Sequence, residues 1–249
     1  MNIESINPDR TAFRCLPASA EEPRVLSPWL LRWQTEFANR CPRINSQQQG
    51  ALARLLPTLA CGEQSAIIVF RNEKERQFKM QKNVSAAIIQ SIAADEIQHD
   101  YGLQRLISSV GAAQDLHQIK RRAQQFFSGL GRTRSVAQHF SQIAALDRAI
   151  CILMHSIEQS DVDAKSMFGT LFGRIKLDEA RHVNVCRRHA RALGMTKEGQ
   201  YFESRRIYQG LFQLLSPLGG AFDDIGIDLV AVFARIQKRH SHDSAFCIE

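Results

Sequence analysis

An all-α fold is predicted by three features of this 249-residue sequence. Apolar residues recur at helical spacing almost throughout from Ser46 onward. No run of strand-like alternation competes with them, and four of the stripes are long enough to build a common core.

Residues 1–27 carry Pro8, Pro17 and Pro23 without a sustained period, which predicts an extended arm. "SPWLLRWQTEFANR" (27–40) then predicts a short helix with Ser27 as N-cap and Pro28 at its first position. The first long stripe runs Leu52, Leu56, Leu59, Ala66, Ile67 and Phe70, with Glu63 on the same face and Pro57 expected to kink or restart the helix. The second runs Ile89, Ile92, Ala93, Glu96, His99 and Leu103. "DLHQIKRRAQQFFSGLG" (115–131) predicts a connecting helix ending at a glycine cap. The third stripe is Phe140, Ile143, Ala144, Asp147, Ile150, Cys151 and Met154; the fourth is Phe168, Phe172, Ile175, Glu179, His182 and Cys186. Two further helices are expected over 197–214 and 221–238, around "SPLGG", with a polar tail from about residue 239. The organisation is therefore an arm and short helix (1–45), a four-helix bundle (46–195) and C-terminal helices with a tail (196–249) in the same domain.

Composition is that of an ordinary globular chain, 44% apolar and 23% charged. No apolar run approaches the 18 or so residues of a membrane span. "MNIESINPDRTAF" lacks the basic-then-apolar pattern of a secretory signal. Six scattered cysteines with no C-x-x-C pair read as reduced thiols, so a cytoplasmic setting is expected. The net charge of +7 predicts a surface that attracts anions, with basic clusters at 120–125, 132–134, 186–191 and 238–242. None carries a nucleic-acid-binding motif, so solvated helix faces are the expected reading.

The four stripes share a flaw. Each places a carboxylate where the core should be, and two add a histidine. "DEIQH" (95–99) and "DEARH" (178–182) repeat the pattern Asp-Glu-x-x-His. On a helix, positions i and i+3 share a face, so Glu96 with His99, and Glu179 with His182, can each reach one metal ion. Glu63 precedes Glu96 by 33 residues and Asp147 precedes Glu179 by 32. Those intervals suit two antiparallel helical hairpins, each supplying one lone carboxylate and one Glu-x-x-His. A single Glu-x-x-His is a weak signal; two copies with matched upstream carboxylates are a strong one.

Unpaired, four buried carboxylates would each cost several kcal/mol, and divalent cations compensate them. Carboxylate and imidazole together suit Fe(II) or Mn(II) better than calcium or structural zinc. Asp95 and Asp178 fit a supporting role, accepting the free N–H of a ligand histidine, and Arg181 fits charge balance in the same network. Glu158 competes with Asp147 for the third-helix position. Asp147 is preferred because it places the hairpin turn in "SDVDAK" rather than in "SMFGTLF". His155 lies two turns beyond Asp147 but is read as satisfied or exposed, and His117, His139, His189, His240 and His242 as surface. No G-x-S-x-G elbow and no phosphate-binding G-x-x-x-x-G-K occurs.

These residues resemble the ferritin-like di-iron carboxylate superfamily over roughly 46–195. The "DEARH" form is most similar to its oxygen-activating branch of desaturases, multicomponent monooxygenases, ribonucleotide reductase small subunits and arylamine N-oxygenases. The resemblance implies a ferritin-like four-helix bundle with metal ligands Glu63, Glu96, His99, Asp147, Glu179 and His182. Asp147 departs from the usual glutamate, and Ile175 stands where N-oxygenases carry an extra histidine. The implied activity is that of a di-iron monooxygenase or oxidase using two Fe ions, or Mn/Fe or Mn/Mn, to hydroxylate, desaturate or N-oxygenate a small organic substrate. Candidate pocket residues are Ile67, Phe70, Cys151, Met154, Phe168 and Phe172. The implied partners are O2, a small organic or carrier-bound substrate, an external electron donor and a second copy in a homodimer. Nucleic acid and membrane are not expected partners. Two rival readings are an iron-handling or peroxide-reducing protein of the ferritin or rubrerythrin kind and a basic scaffold holding a structural metal.

Overall fold

The computed structural model of the protein describes residues 23, 25–38, 44–81, 83–130, 133, 135–163 and 165–238. Residues 1–22 and 24 of the arm expected over 1–27, the tail from 239, the glycine cap at Gly131, Cys15, Cys41, Cys247, His240 and His242 lie outside them. The helices are α1 Pro28–Phe37, α2 Ser46–Lys79, α3 Asn83–Val110, α4 Leu116–Leu130, α5 Val136–Glu158, α6 Met167–Ala192, α7 Lys197–Leu215, α8 Gly219–Asp223 and α9 Leu229–Lys238. A 3-10 turn, Ser216–Leu218, joins α7 to α8, and no strand occurs among the described residues. The chain is all-helical, in two compact units, α1–α4 and α5–α9.

In the first unit α2 begins at a reciprocal cap. Gln48 N donates to Asn45 Oδ1 at 2.8 Å, and Asn45 N donates to Gln48 Oε1 at 3.1 Å. The helix then runs unbroken through Pro57, so the expected restart does not occur. Pro57 is buried, and packing around this long helix outweighs the one hydrogen bond its ring removes. A turn at Met80 and Gln81, the latter at φ 58°, sends α3 back along α2. The facing stripes close a core of Leu52, Leu56, Phe70, Ile89, Ile92 and Leu103. Ser27 occupies the N-cap position of α1 but makes no side-chain cap. Its backbone N–H donates instead to Gln98 Oε1 at 2.9 Å, and Gln98 Nε2 donates to the Val25 carbonyl at 3.0 Å. A single α3 side chain thus fixes the entry to α1.

In the second unit α5 and α6 are capped by Ser135 and Ser166 and joined by residues 159–166. α7 packs against α5, where Gln138 and Gln142 both donate to the Glu203 carboxylate, at 2.7 and 2.6 Å. Because α6, α7 and α9 all pack on it, α5 is buried around most of its circumference. That corrects the surface reading of His139, which is only 2% exposed. It also accounts for the apolar character of α5. By length and hydropathy Val136–Glu158 could cross a membrane, yet 72% of its most apolar window is buried within the protein.

The single helix expected over 221–238 is instead two, α8 and α9, separated by "DIGID" (224–228). Gly226 sits there at φ +76°, and a Cβ on it would lie 2.6 Å from Asp161 Oδ2. Both the backbone sign and the close approach of the α5–α6 connection require glycine.

Candidate metal centre

The α2–α3 hairpin turns at Gln81, with Glu63 eighteen positions before it and His99 eighteen after (81 − 63 and 99 − 81). Antiparallel helices of equal rise therefore bring the two side chains level. His99 Nδ1 lies 3.3 Å from Glu63 Oε2 and 3.6 Å from Glu96 Oε2. Burial pushes the Glu63 carboxyl well above the usual carboxylate range. Repulsion from Glu96 and a hydrogen bond with it push the same way, while His99 pulls against them. Two carboxylates this close cannot both stay ionised in a dry site without a cation, so without metal they hold a proton.

The α5–α6 hairpin repeats the Glu-x-x-His part of this arrangement on its own. His182 Nδ1 lies 3.6 Å from Glu179 Oε2, the separation found for His99 and Glu96. Asp147, Glu179 and His182 are all buried.

Within the first unit Glu63, Glu96 and His99 are all buried, and one ligand atom from each lies within 4.8 Å of the others. Two donors can share one ion at about 2.1 Å only if they are within about 4.2 Å of each other. A spread of 4.8 Å therefore fits a site that would contract slightly onto an ion. Two carboxylates and an imidazole are a donor set suited to a divalent metal of the Fe or Mn kind. Asp147, Glu179 and His182 are the corresponding residues of the second unit.

The competing position, Glu158, ends α5 in a salt bridge with Lys176 and lies 3.6 Å from His155 Nδ1. Asp95 is half-buried. Asp178 is buried and accepts a hydrogen bond from Arg174 Nη2 at 2.9 Å. Arg181 is exposed, with Nη2 3.4 Å from His182 Nε2. Of the pocket candidates, Ile67, Phe70, Met154, Phe168 and Phe172 are buried, and the Cys151 thiol donates to the Lys176 carbonyl at 3.6 Å.

Three residues supporting the α2–α3 half were missed in the sequence. Asp100 is buried, and its Oδ1 accepts from Gln64 Nε2 at 3.1 Å and from Gln104 Nε2 at 3.0 Å. Gln64 follows Glu63 and Asp100 follows His99, so this bond pins the hairpin register one residue from both ligands. The i, i+4 spacing of Asp100 and Gln104 was a visible signal. The pairing with Gln64 needed the fold.

No protein-family model, no curated protein and no solved structure matches the chain.

Proposed function

We propose that the two Glu-x-x-His hairpins together hold a di-metal carboxylate centre that activates O2 to oxidise a small organic substrate. The observation that carries this reading is the buried set Glu63, Glu96 and His99 in the first unit, with the buried Glu179–His182 pair repeating the Glu-x-x-His pattern in the second. Buried acids without counter-cations are a folding liability, and a chain that buries them beside imidazoles gains from filling the site. Asp147 and His182 complete the ligand set in this proposal, giving each hairpin one carboxylate and one Glu-x-x-His.

When bound, a pair of iron ions supplies the electrons that reduce O2, with manganese an alternative in one or both positions. The chain's own residues do the rest. Glu63 and Glu96 surrender their shared proton as metal enters. His99 and His182 present Nδ1 on the side of their partner glutamates. Phe70 in the first unit and Met154, Phe168 and Phe172 in the second are buried and keep water out of the core of each. The proposed setting is a cytoplasmic homodimer fed by an external electron donor.

Anaerobic loading with Fe(II), followed by O2 and candidate substrates, tests this. The proposal expects oxidation of the metal to be coupled to substrate, with faster O2 consumption and an oxidised organic product. Oxidation of iron without an organic product, ending in a mineral core, supports iron handling instead. Unfolding on chelation without any redox activity supports a structural metal.

A further inference from the structure

The second unit holds another polar site, which the metal centre does not use. A cavity of about 40 Å³ lies among α5, α6 and α7, lined by Ser141, Arg187, Arg191, Lys197, Gln200 and Ser204 among others. Arg187 and Arg191 also border a wider groove of about 410 Å³, which they share with Arg188 and Asn184. Arg191 and Lys197, which line the cavity, and Arg188, which borders the groove, form no ion pair among the described residues, so no carboxylate neutralises them.

Ser141 supplies the independent sign of a ligand. It is 2% exposed, and its Oγ is buried without a hydrogen-bond partner. A buried helical serine ordinarily turns its hydroxyl back to the carbonyl one turn earlier. Ser65, Ser156 and Ser204 do so here, onto Cys61, Ile152 and Gln200. Ser141 instead lines the cavity and leaves its hydroxyl unsatisfied, a cost that an acceptor in the cavity removes.

We propose that this cavity binds a phosphate group. Guanidinium forks match tetrahedral oxyanions, and a dianion balances several cations where a carboxylate would leave an excess. The space exceeds the ~10–15 Å³ that one water needs but is too small for more than the anionic group itself. The remainder of an esterified ligand extends into the arginine-bordered groove. Arg187 and Arg191 lie five and nine residues beyond His182, about 8 and 14 Å along α6, so the site is separate from the metal ligands. It stands or falls independently of the redox proposal.

The test is calorimetric titration of the full chain at constant ionic strength with orthophosphate and with phenyl phosphate, alongside thermal melting. Saturable binding is expected for at least one of them. Arg191→Ala should weaken it about tenfold or more, and Ser141→Ala several-fold, while Arg206→Ala on the exposed face of α7 should leave it unchanged. Ser141→Ala should also melt no lower than the parent in phosphate-free buffer, because it deletes an unsatisfied hydroxyl. If Arg191→Ala does not fold, Lys197→Ala serves in its place. Tighter binding of the ester identifies a phosphorylated organic ligand, and equal binding identifies free phosphate; both uphold the site. Absence of saturable binding overturns it, as does an equal loss in Arg206→Ala or wild-type affinity in both Ser141→Ala and Arg191→Ala.

Discussion

His99 Nδ1 lies 3.3 Å from Glu63 Oε2, a contact between residues 36 positions apart that ties α2 to α3 deep in the first unit. A hydrogen bond between Glu63 and Glu96 completes a three-residue set that needs either a proton or a cation.

That requirement gives metal-free stability a characteristic pH dependence. The Glu63 carboxyl is raised well above its ordinary value, so the folded state keeps a proton that the unfolded chain has already lost. Metal-free stability therefore falls as pH rises from the ordinary glutamate range towards the raised folded value. The slope reaches at most about 1.4 kcal/mol per pH unit for one group. Urea midpoints measured across this window in chelator should show the decline. Glu63→Gln should flatten it, and added metal should reverse it.

Arg181 offers a sharper discrimination. Its guanidinium can only donate, so the 3.4 Å contact with His182 Nε2 requires the lone pair on that nitrogen. A neutral imidazole that binds metal through Nδ1 carries its proton on Nε2 instead. The two arrangements exclude each other, and the exposed Arg181 side chain must turn away when metal binds. Arg181→Gln should leave metal affinity unchanged or raise it a few-fold by competition with a chelating dye. A clear fall in affinity would support charge balance as its role.

Gln98 sits between the two ligands of "DEIQH" but faces the chain that enters α1. Gln98→Ala removes both contacts and should cost about 1–3 kcal/mol in denaturant unfolding. Metal stoichiometry should be retained.

Gly226→Ala should destabilise more than an ordinary surface change. Positive φ alone costs about 1–2 kcal/mol, and the contact with Asp161 adds to it. Asp161→Ala in the same background should recover the steric part and leave the backbone part.

The helix pattern was legible because burial follows period. Phe168, Phe172, Ile175, Glu179, His182 and Cys186 were grouped by spacing alone, and all are buried. Glu63, Glu96, His99 and Glu179 were legible for the same reason, since charged groups on an apolar face stand out. What stayed hidden depends on partners distant in sequence. His139 looks like a surface histidine until α7 and α9 cover α5. Ser27 looks like a cap until Gln98 takes its backbone N–H. Pro57 looks like a break until packing holds the helix through it, and Asp161, the residue that crowds Gly226, lies 65 positions before it.

The central claim is that the two Glu-x-x-His pairs hold metal together. Anaerobic Fe(II) binding to the full chain, with metal content measured after desalting, tests it most directly. The account expects about two ions per chain, and loss of both in the Glu96→Ala/Glu179→Ala double variant with helical content preserved. Full binding by that variant, or no binding by the parent chain, would contradict it.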